Sequence, residues 1–144
     1  MTSYDKATLQ AELKRDEGVR LKPYKDSLGK LSIGVGRNLD DVGLSSDEVA
    51  FLLTNDIART ETALDRHLPW WRTLDAVRQR VVVNMAFNMG ADAPGRGLLS
   101  FANTIAAIQR GDYSAAAMGM LDSKWASQVG SRAERLANLM RTGA

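Results

Sequence analysis

Glu17, Asp26 and Ser32 fall within sixteen consecutive residues. They lie in the stretch Arg-Asp-Glu-Gly-Val-Arg-Leu-Lys-Pro-Tyr-Lys-Asp-Ser-Leu-Gly-Lys-Leu-Ser-Ile-Gly-Val-Gly-Arg-Asn-Leu that runs from Arg15 to Leu39. Two carboxylates held by different pieces of local structure can be given different proton affinities, and acid–base cleavage of a glycosidic bond requires that. The leaving oxygen of an acetal must be protonated, because an alkoxide is a poor leaving group. Glu17 is the candidate acid, and it must keep its proton near neutral pH through burial or neighbouring charge. Asp26 must stay ionised, to activate water or to stabilise an oxocarbenium-like centre, and the Ser32 hydroxyl helps to hold that water. A glutamate followed by an aspartate nine positions on is weak evidence alone, since most carboxylates sit on solvated faces.

The local elements strengthen the pair, because each carboxylate is placed where a rigid element ends. Residues 5–16 predict a helix with Leu9 and Leu13 four apart and Gly18 at its C-terminal end, so Glu17 closes it. Val19 to Asp26 predicts an edge strand, given Pro23. Ser27-Leu28-Gly29-Lys30 predicts a hairpin turn, with Gly29 free to adopt positive φ. Leu31, Ser32 and Ile33 then alternate, the hydroxyl pointing away from the two apolar side chains. The result is a two- or three-stranded sheet.

A loop at 40–44 leads to Ser45-Ser46-Asp47-Glu48, a capping box with Ser45 as N-cap. A helix to about Arg66 follows, with the apolar stripe Val49, Leu52, Leu53, Ile57 and Leu64. Pro69 interrupts the chain beside Trp70 and Trp71; of these adjacent tryptophans one is expected to be partly exposed, and Trp125 to pack in a core. Residues 75–89 predict the most apolar helix, between Asp75 and Gly90. Its run Val81-Val82-Val83 has strand character, but its length and flanks favour a buried helix. After a Gly/Pro loop at 91–97, short helices are expected at 101–109, at 112–121 with Asp112 as N-cap, and at 131–141. The pattern is α+β, mostly α: a small β-hairpin lobe at about 15–45, a connecting helix at about 46–66, and a larger helical lobe at about 67–144 that also takes the N-terminal helix, with a cleft between the lobes.

Other chemistries are poorly provided for. Gly34-Val35-Gly36-Arg37-Asn38-Leu39 approaches a dinucleotide fingerprint, but the third glycine and a βαβ unit are missing. His67 is the one histidine and no Gly-x-Ser-x-Gly occurs, which argues against a serine-hydrolase triad. With no cysteine and no Cys/His cluster, neither a disulfide framework, a metal site nor a cofactor is expected. The 144 residues suffice for a single domain with a core, and 44% hydrophobic with 25% charged residues is ordinary for a soluble protein. A net charge of +2 is too small to indicate a nucleic-acid partner. No signal peptide or membrane-spanning run is read in the sequence, so a wall-directed protein would wait in the cytoplasm for help across the inner membrane.

The order Glu17, Asp26, Ser32, followed by Ile-Gly-x-Gly, resembles the phage-type lysozymes, the muramidases of the T-even phage lysozyme family (glycoside hydrolase family 24). Three further blocks carry the resemblance: Leu-Asp-Ala-Val-Arg through Asn-Met-Ala-Phe-Asn-Met-Gly, ending at Gly90; Ser-Phe-Ala-Asn-Thr from Ser100; and Ser-Arg-Ala-Glu-Arg from Ser131 to the closing Arg-Thr-Gly. It implies an endolysin that hydrolyses the β-1,4 bond between N-acetylmuramic acid and N-acetylglucosamine and lyses the bacterial host. It makes Glu17 the acid and Asp26 a water-orienting base, and it puts Ser32 where threonine is usual. Asn38, Phe87 and Thr104 match positions that line the glycan cleft, and Arg132 matches an arginine that pairs with the catalytic glutamate. Arg37 stands where histidine is frequent, and the alignment pairs it with Asp56 in a salt bridge. The implied partner is the peptidoglycan glycan strand, met by a monomer in the periplasm once a separate holin has let it through, with no nucleic acid and no stable membrane insertion.

Two rival readings differ in kind. A lytic transglycosylase would cleave the same bond with one acid and an internal sugar hydroxyl, leaving Asp26 dispensable and an anhydro product end. A basic membrane- or wall-binding helical module would act through residues 131–141, with Arg132, Arg135 and Arg141.

Overall fold

The computed structural model describes residues 3–144. The chain divides into two compact units, Met1–Phe51 and Leu52–Ala144.

The first unit begins with α1, Lys6–Glu17. The Asp5 carboxylate caps it, accepting from the Ala7 amide at 3.1 Å, and Gly18 ends it at φ 77° with its N–H donating to the Lys14 carbonyl. Two leucines in twelve residues are a thin apolar stripe, and no residue of α1 is buried. Three antiparallel strands follow in the order β1 (Arg20–Lys25), β2 (Leu31–Gly34), β3 (Arg37–Asn38), so β1 is an edge strand, as Pro23 requires. The capping box forms reciprocally: Glu48 N–H donates to Ser45 Oγ at 3.2 Å, and Ser45 N–H to Glu48 Oε1 at 2.9 Å.

That box starts α2, Ser46–His67, which carries the chain into the second unit. Of its apolar stripe only Leu64 is fully buried, while Val49, Leu52, Leu53 and Ile57 stay substantially exposed. Leu53 and Ile57 line an open groove, described below, where the stripe predicted a filled core.

Residues Pro69–Thr73 form a 3-10 turn that buries Trp71 and leaves Trp70 half-buried. Helix α3, Ala76–Met89, runs between the Asp75 cap and Gly90 at φ 86°. Its valines are helical because Val81 and Val82, with Met85 and Ala86, are fully packed inside; burial overrides their strand preference. Helices α4 (Ala102–Gln109), α5 (Tyr113–Leu121) and α7 (Ser131–Thr142) lie close to the predicted spans. Helix α6, Lys124–Val129, was not expected. It is too short to show a period, and its one local signal is Ser123, whose hydroxyl accepts from the Ala126 amide. The core of this unit gathers Leu64, Val81, Met85, Leu98, Ile108, Met120 and Met140, and Trp125 joins it at its edge, donating Nε1–H to Asn88 at 2.8 Å. His67 is half-buried, its Nε2 lying 3.2 Å from the Asp92 carbonyl.

Candidate active site

The three residues singled out by chemistry all lie in the first unit, each at the end or middle of a regular element. Glu17 is the last residue of α1, so its side chain leaves the helix where Gly18 turns the backbone toward β1. Its carboxylate rests on the β2–β3 turn. A Cβ built on Gly36, which sits at φ 69°, would lie 3.2 Å from Glu17 Oε2 and 3.5 Å from its Cδ. Gly36 thus meets two demands, a left-handed backbone and a surface without a side chain. In the sequence alone Gly36 reads as a point where the backbone turns or a ligand approaches closely.

Asp26 sits where β1 gives way to the hairpin turn. Its Oδ1 accepts from the Leu28 and Lys30 amides, each at 2.9 Å, while its own N–H donates to the Lys30 carbonyl and its carbonyl accepts from Gly29. The aspartate therefore builds the turn that holds it. Ser32 occupies the central strand, opposite Tyr24 on one side and Asn38 on the other, and is 3% exposed. The alternation places the hydroxyl on the buried face and leaves Leu31 exposed.

The Asn38 amide is committed locally: Nδ2–H donates to Asp41 Oδ2 at 3.0 Å, and Oδ1 accepts from the Asp41 amide at 2.8 Å. It shapes the loop after β3. Arg37 pairs with Glu48, not with Asp56. Its Nη1 lies 2.8 Å from Glu48 Oε1 and also donates to the Gly43 carbonyl at 3.1 Å. Asp56 pairs with Arg59, one helical turn further along α2. The guanidinium is taken by a carboxylate of its own unit, already oriented by the Ser45 cap. Arg37, and then the amide and hydroxyl of Ser45, hold the Glu48 carboxyl far below the ordinary glutamate value, at about 2.

In the second unit, Phe87 and Arg132 line one groove of about 580 Å³, walled by Leu53, Ile57, Val83 and Trp71, with Glu61, Gln79, Arg80 and Asn84 as its polar members. Arg132 is held there by Asn84, whose Oδ1 accepts from Nε at 3.1 Å and from Nη2 at 2.7 Å. Asn84 was missed, though its place on the Phe87 face of α3, three positions earlier, was a readable signal. Thr104 does not line this groove. It is buried at the edge of another pocket, with Asn103, Asp122 and Lys124. Among the described residues no group of His, Asp and Glu side chains is arranged to hold a metal ion.

A short helix that ends in a carboxylate, a small three-stranded sheet with a turn-locked second carboxylate and a hydroxyl, and a mostly helical unit make up the mostly-α, α+β architecture of the lysozyme class. The sequence matches the Phage lysozyme model over residues 14–142, and the chain belongs to that family. It is similar to the pre-baseplate central spike protein Gp5 of Enterobacteria phage T4, 28% identical over 91% of this chain and 27% of that protein. It is also similar to the probable T4-type lysozymes 1 and 2 of Dictyostelium discoideum, each 25% identical over 95% of both chains. The chain therefore spans about a quarter of the spike protein and nearly all of each Dictyostelium lysozyme.

Proposed function

We propose that this chain hydrolyses the β-1,4 bond between N-acetylmuramic acid and N-acetylglucosamine, as an endolysin that opens the host wall. The observation that carries the reading is the separate anchoring of two carboxylates in one small unit: Glu17 at a helix terminus against Gly36, and Asp26 locked by two turn amides. Glu17 protonates the leaving oxygen. Its side chain is exposed to water in the free protein, and a bound glycan displaces that water and strengthens the acid's interaction with the bond it protonates. Asp26 stays ionised and, with the Ser32 hydroxyl, orients the attacking water. Phe87 supplies an aromatic face for a sugar ring, being 44% exposed, and Arg132 and Thr104 supply polar contacts to the glycan. Asn38 contributes to glycan binding through the loop that it ties to Asp41. The enzyme acts in the periplasm as a monomer after a separate holin opens the inner membrane. No helix among the described residues is long and apolar enough to cross a membrane, which suits a protein that depends on such help.

The test compares wild type with Glu17→Gln on outer-membrane-stripped Gram-negative cells, with the released muropeptides analysed by mass spectrometry. Clearing by wild type alone, with hydrated reducing ends, supports the proposal. Anhydro ends would assign a transglycosylase, and equal clearing by both proteins would remove Glu17 from the chemistry.

A further inference from the structure

The edge strand β1 is irregular. Arg20 pairs with Gly34 and Tyr24 with Ser32, so β1 advances four residues while β2 advances two. Leu21, Lys22 and Pro23 share the space opposite Ile33, and the strand bulges outward. A bulge re-aims side chains and increases local twist. Here it presents Leu21 to solvent at 89% exposure. Leu28, at the hairpin tip, is 83% exposed, and these are the two most exposed large apolar side chains among the described residues.

Cations surround them. Arg20, Lys22, Lys25 and Lys30 fall within the same eleven residues against a single carboxylate, Asp26, whose hydrogen bonds go to turn amides. Lys30 is shared with Asp41 at 3.3 Å, and Arg20 lies over the Tyr24 ring. Lys22 and Lys25 are exposed and form no ion pair among the described residues. A single exposed leucine needs no explanation. Two at opposite ends of one hairpin, with lysines between them, on an edge that the bulge and Pro23 close to strand pairing, make an amphipathic rim.

We propose that this rim binds an anionic lipid leaflet, with Leu21 and Leu28 entering the boundary between headgroups and acyl chains and Lys22 and Lys25 lying at the phosphates. Charge complementarity selects this occupant. A soluble polyanion would use the lysines and leave both leucines in water, and an apolar protein face would bury the lysines without partners. The lysine stems lie along the membrane surface while their ammonium groups stay hydrated. The rim shares its hairpin with Asp26, whose carboxylate is turned to the backbone amides of Leu28 and Lys30, and it would hold the enzyme near a membrane without inserting a helix.

The experiment is co-sedimentation of the whole chain with vesicles of phosphatidylglycerol and phosphatidylethanolamine, and with vesicles of phosphatidylcholine. Binding is expected to the anionic vesicles, weakening as salt rises. Lys22→Glu with Lys25→Glu should weaken it by at least about tenfold, since each cation near such a surface contributes about fivefold. Leu21→Ser with Leu28→Ser should weaken it by at least about tenfold as well. All four side chains are exposed, so unchanged melting curves would confirm that the variants remain folded. No binding of wild type at low salt overturns the proposal. So does a leucine variant that binds like wild type, which would leave only a cationic site for soluble polyanions. The readout is lipid binding, so either result stands apart from hydrolysis.

Discussion

Gly36 lies against the Glu17 carboxylate closely enough that a methyl group in its place would stand 3.2 Å from Oε2. The end of α1 and the β2–β3 turn are thereby fitted to each other at the one carboxyl group that the proposed chemistry cannot spare. Gly36→Ala should force that carboxylate to shift by a few tenths of an ångström and strain a backbone at φ 69°. Turnover should fall by about tenfold or more, because displacing a catalytic group is costly. Thermal stability should fall by only about 1–2 kcal/mol. Measuring kcat and the melting temperature on the same preparation separates the two effects; equal turnover with lowered stability would show that the contact serves folding alone.

Glu48 closes the first unit at its far end, and its behaviour in acid follows from its partners. Its carboxyl titrates at about 2 when folded, against 4.5 for an ordinary glutamate. The stabilisation is therefore complete above 4.5 and is lost as pH falls toward about 2. Above pH 5, Arg37 and Ser45 should stay clamped, unlike a histidine pair, which would release near neutrality. Acid titration of wild type beside Glu48→Gln should show a larger loss of stability between 4.5 and about 2 in wild type than in the variant.

Arg78 is the corresponding clamp of the helical unit. Its Nε donates to the Met140 carbonyl at 2.7 Å and Nη2 to Arg141 at 3.1 Å, at the C-terminal end of α7, while its guanidinium lies 3.6 Å from the Tyr113 ring centroid. The Asp75 carboxylate completes the set at 3.0 Å. The side chain is only 13% exposed, so removing it leaves two helix-end carbonyls short of donors. Arg78→Ala should cost about 2–4 kcal/mol in urea unfolding. Arg78→Lys should recover only part of this, because one ammonium cannot reproduce the planar fork.

Gly119 offers a prediction whose sign opposes helix propensity. Replacing a mid-helix glycine with alanine ordinarily stabilises by about 1 kcal/mol. Here the new Cβ would lie 2.3 Å from Thr104 Oγ1, and Thr104 is buried and branched, so turning its hydroxyl away is obstructed. Gly119→Ala should destabilise, and adding Thr104→Ala should restore the ordinary gain. A thermal double-mutant cycle reads the coupling directly.

The sequence was most legible where a single residue both begins and explains an element. Ser45 with Glu48, Asp75 and Asp112 each announced a helix start that the structure keeps, because capping is local chemistry. Pro23 and Gly29 likewise fixed an edge strand and a turn. What escaped depended on choices among partners. The alignment paired Arg37 with Asp56, and only the folded loop brings Glu48 to it. Periodicity marked Leu53 and Ile57 as apolar but did not say that they would line an open groove. Helix α6 was too short to carry a period at all. Glu17 and Asp26 can be proposed from type and spacing alone, whereas the places of Gly36 against Glu17 and of Asn84 against Arg132 exist only in three dimensions.

The turn at the tip of the first hairpin also settles a question of timing. Both hydrogen bonds that reach the Asp26 side chain fall on Oδ1, so rotating the carboxylate about its last bond would sacrifice two amide partners together. Its freedom to swivel is removed when the hairpin folds, long before a glycan arrives. In the proposed reaction the oxygen that meets the water would keep a fixed bearing from one turnover to the next, and the entropy of aiming it would not be charged against the reaction barrier.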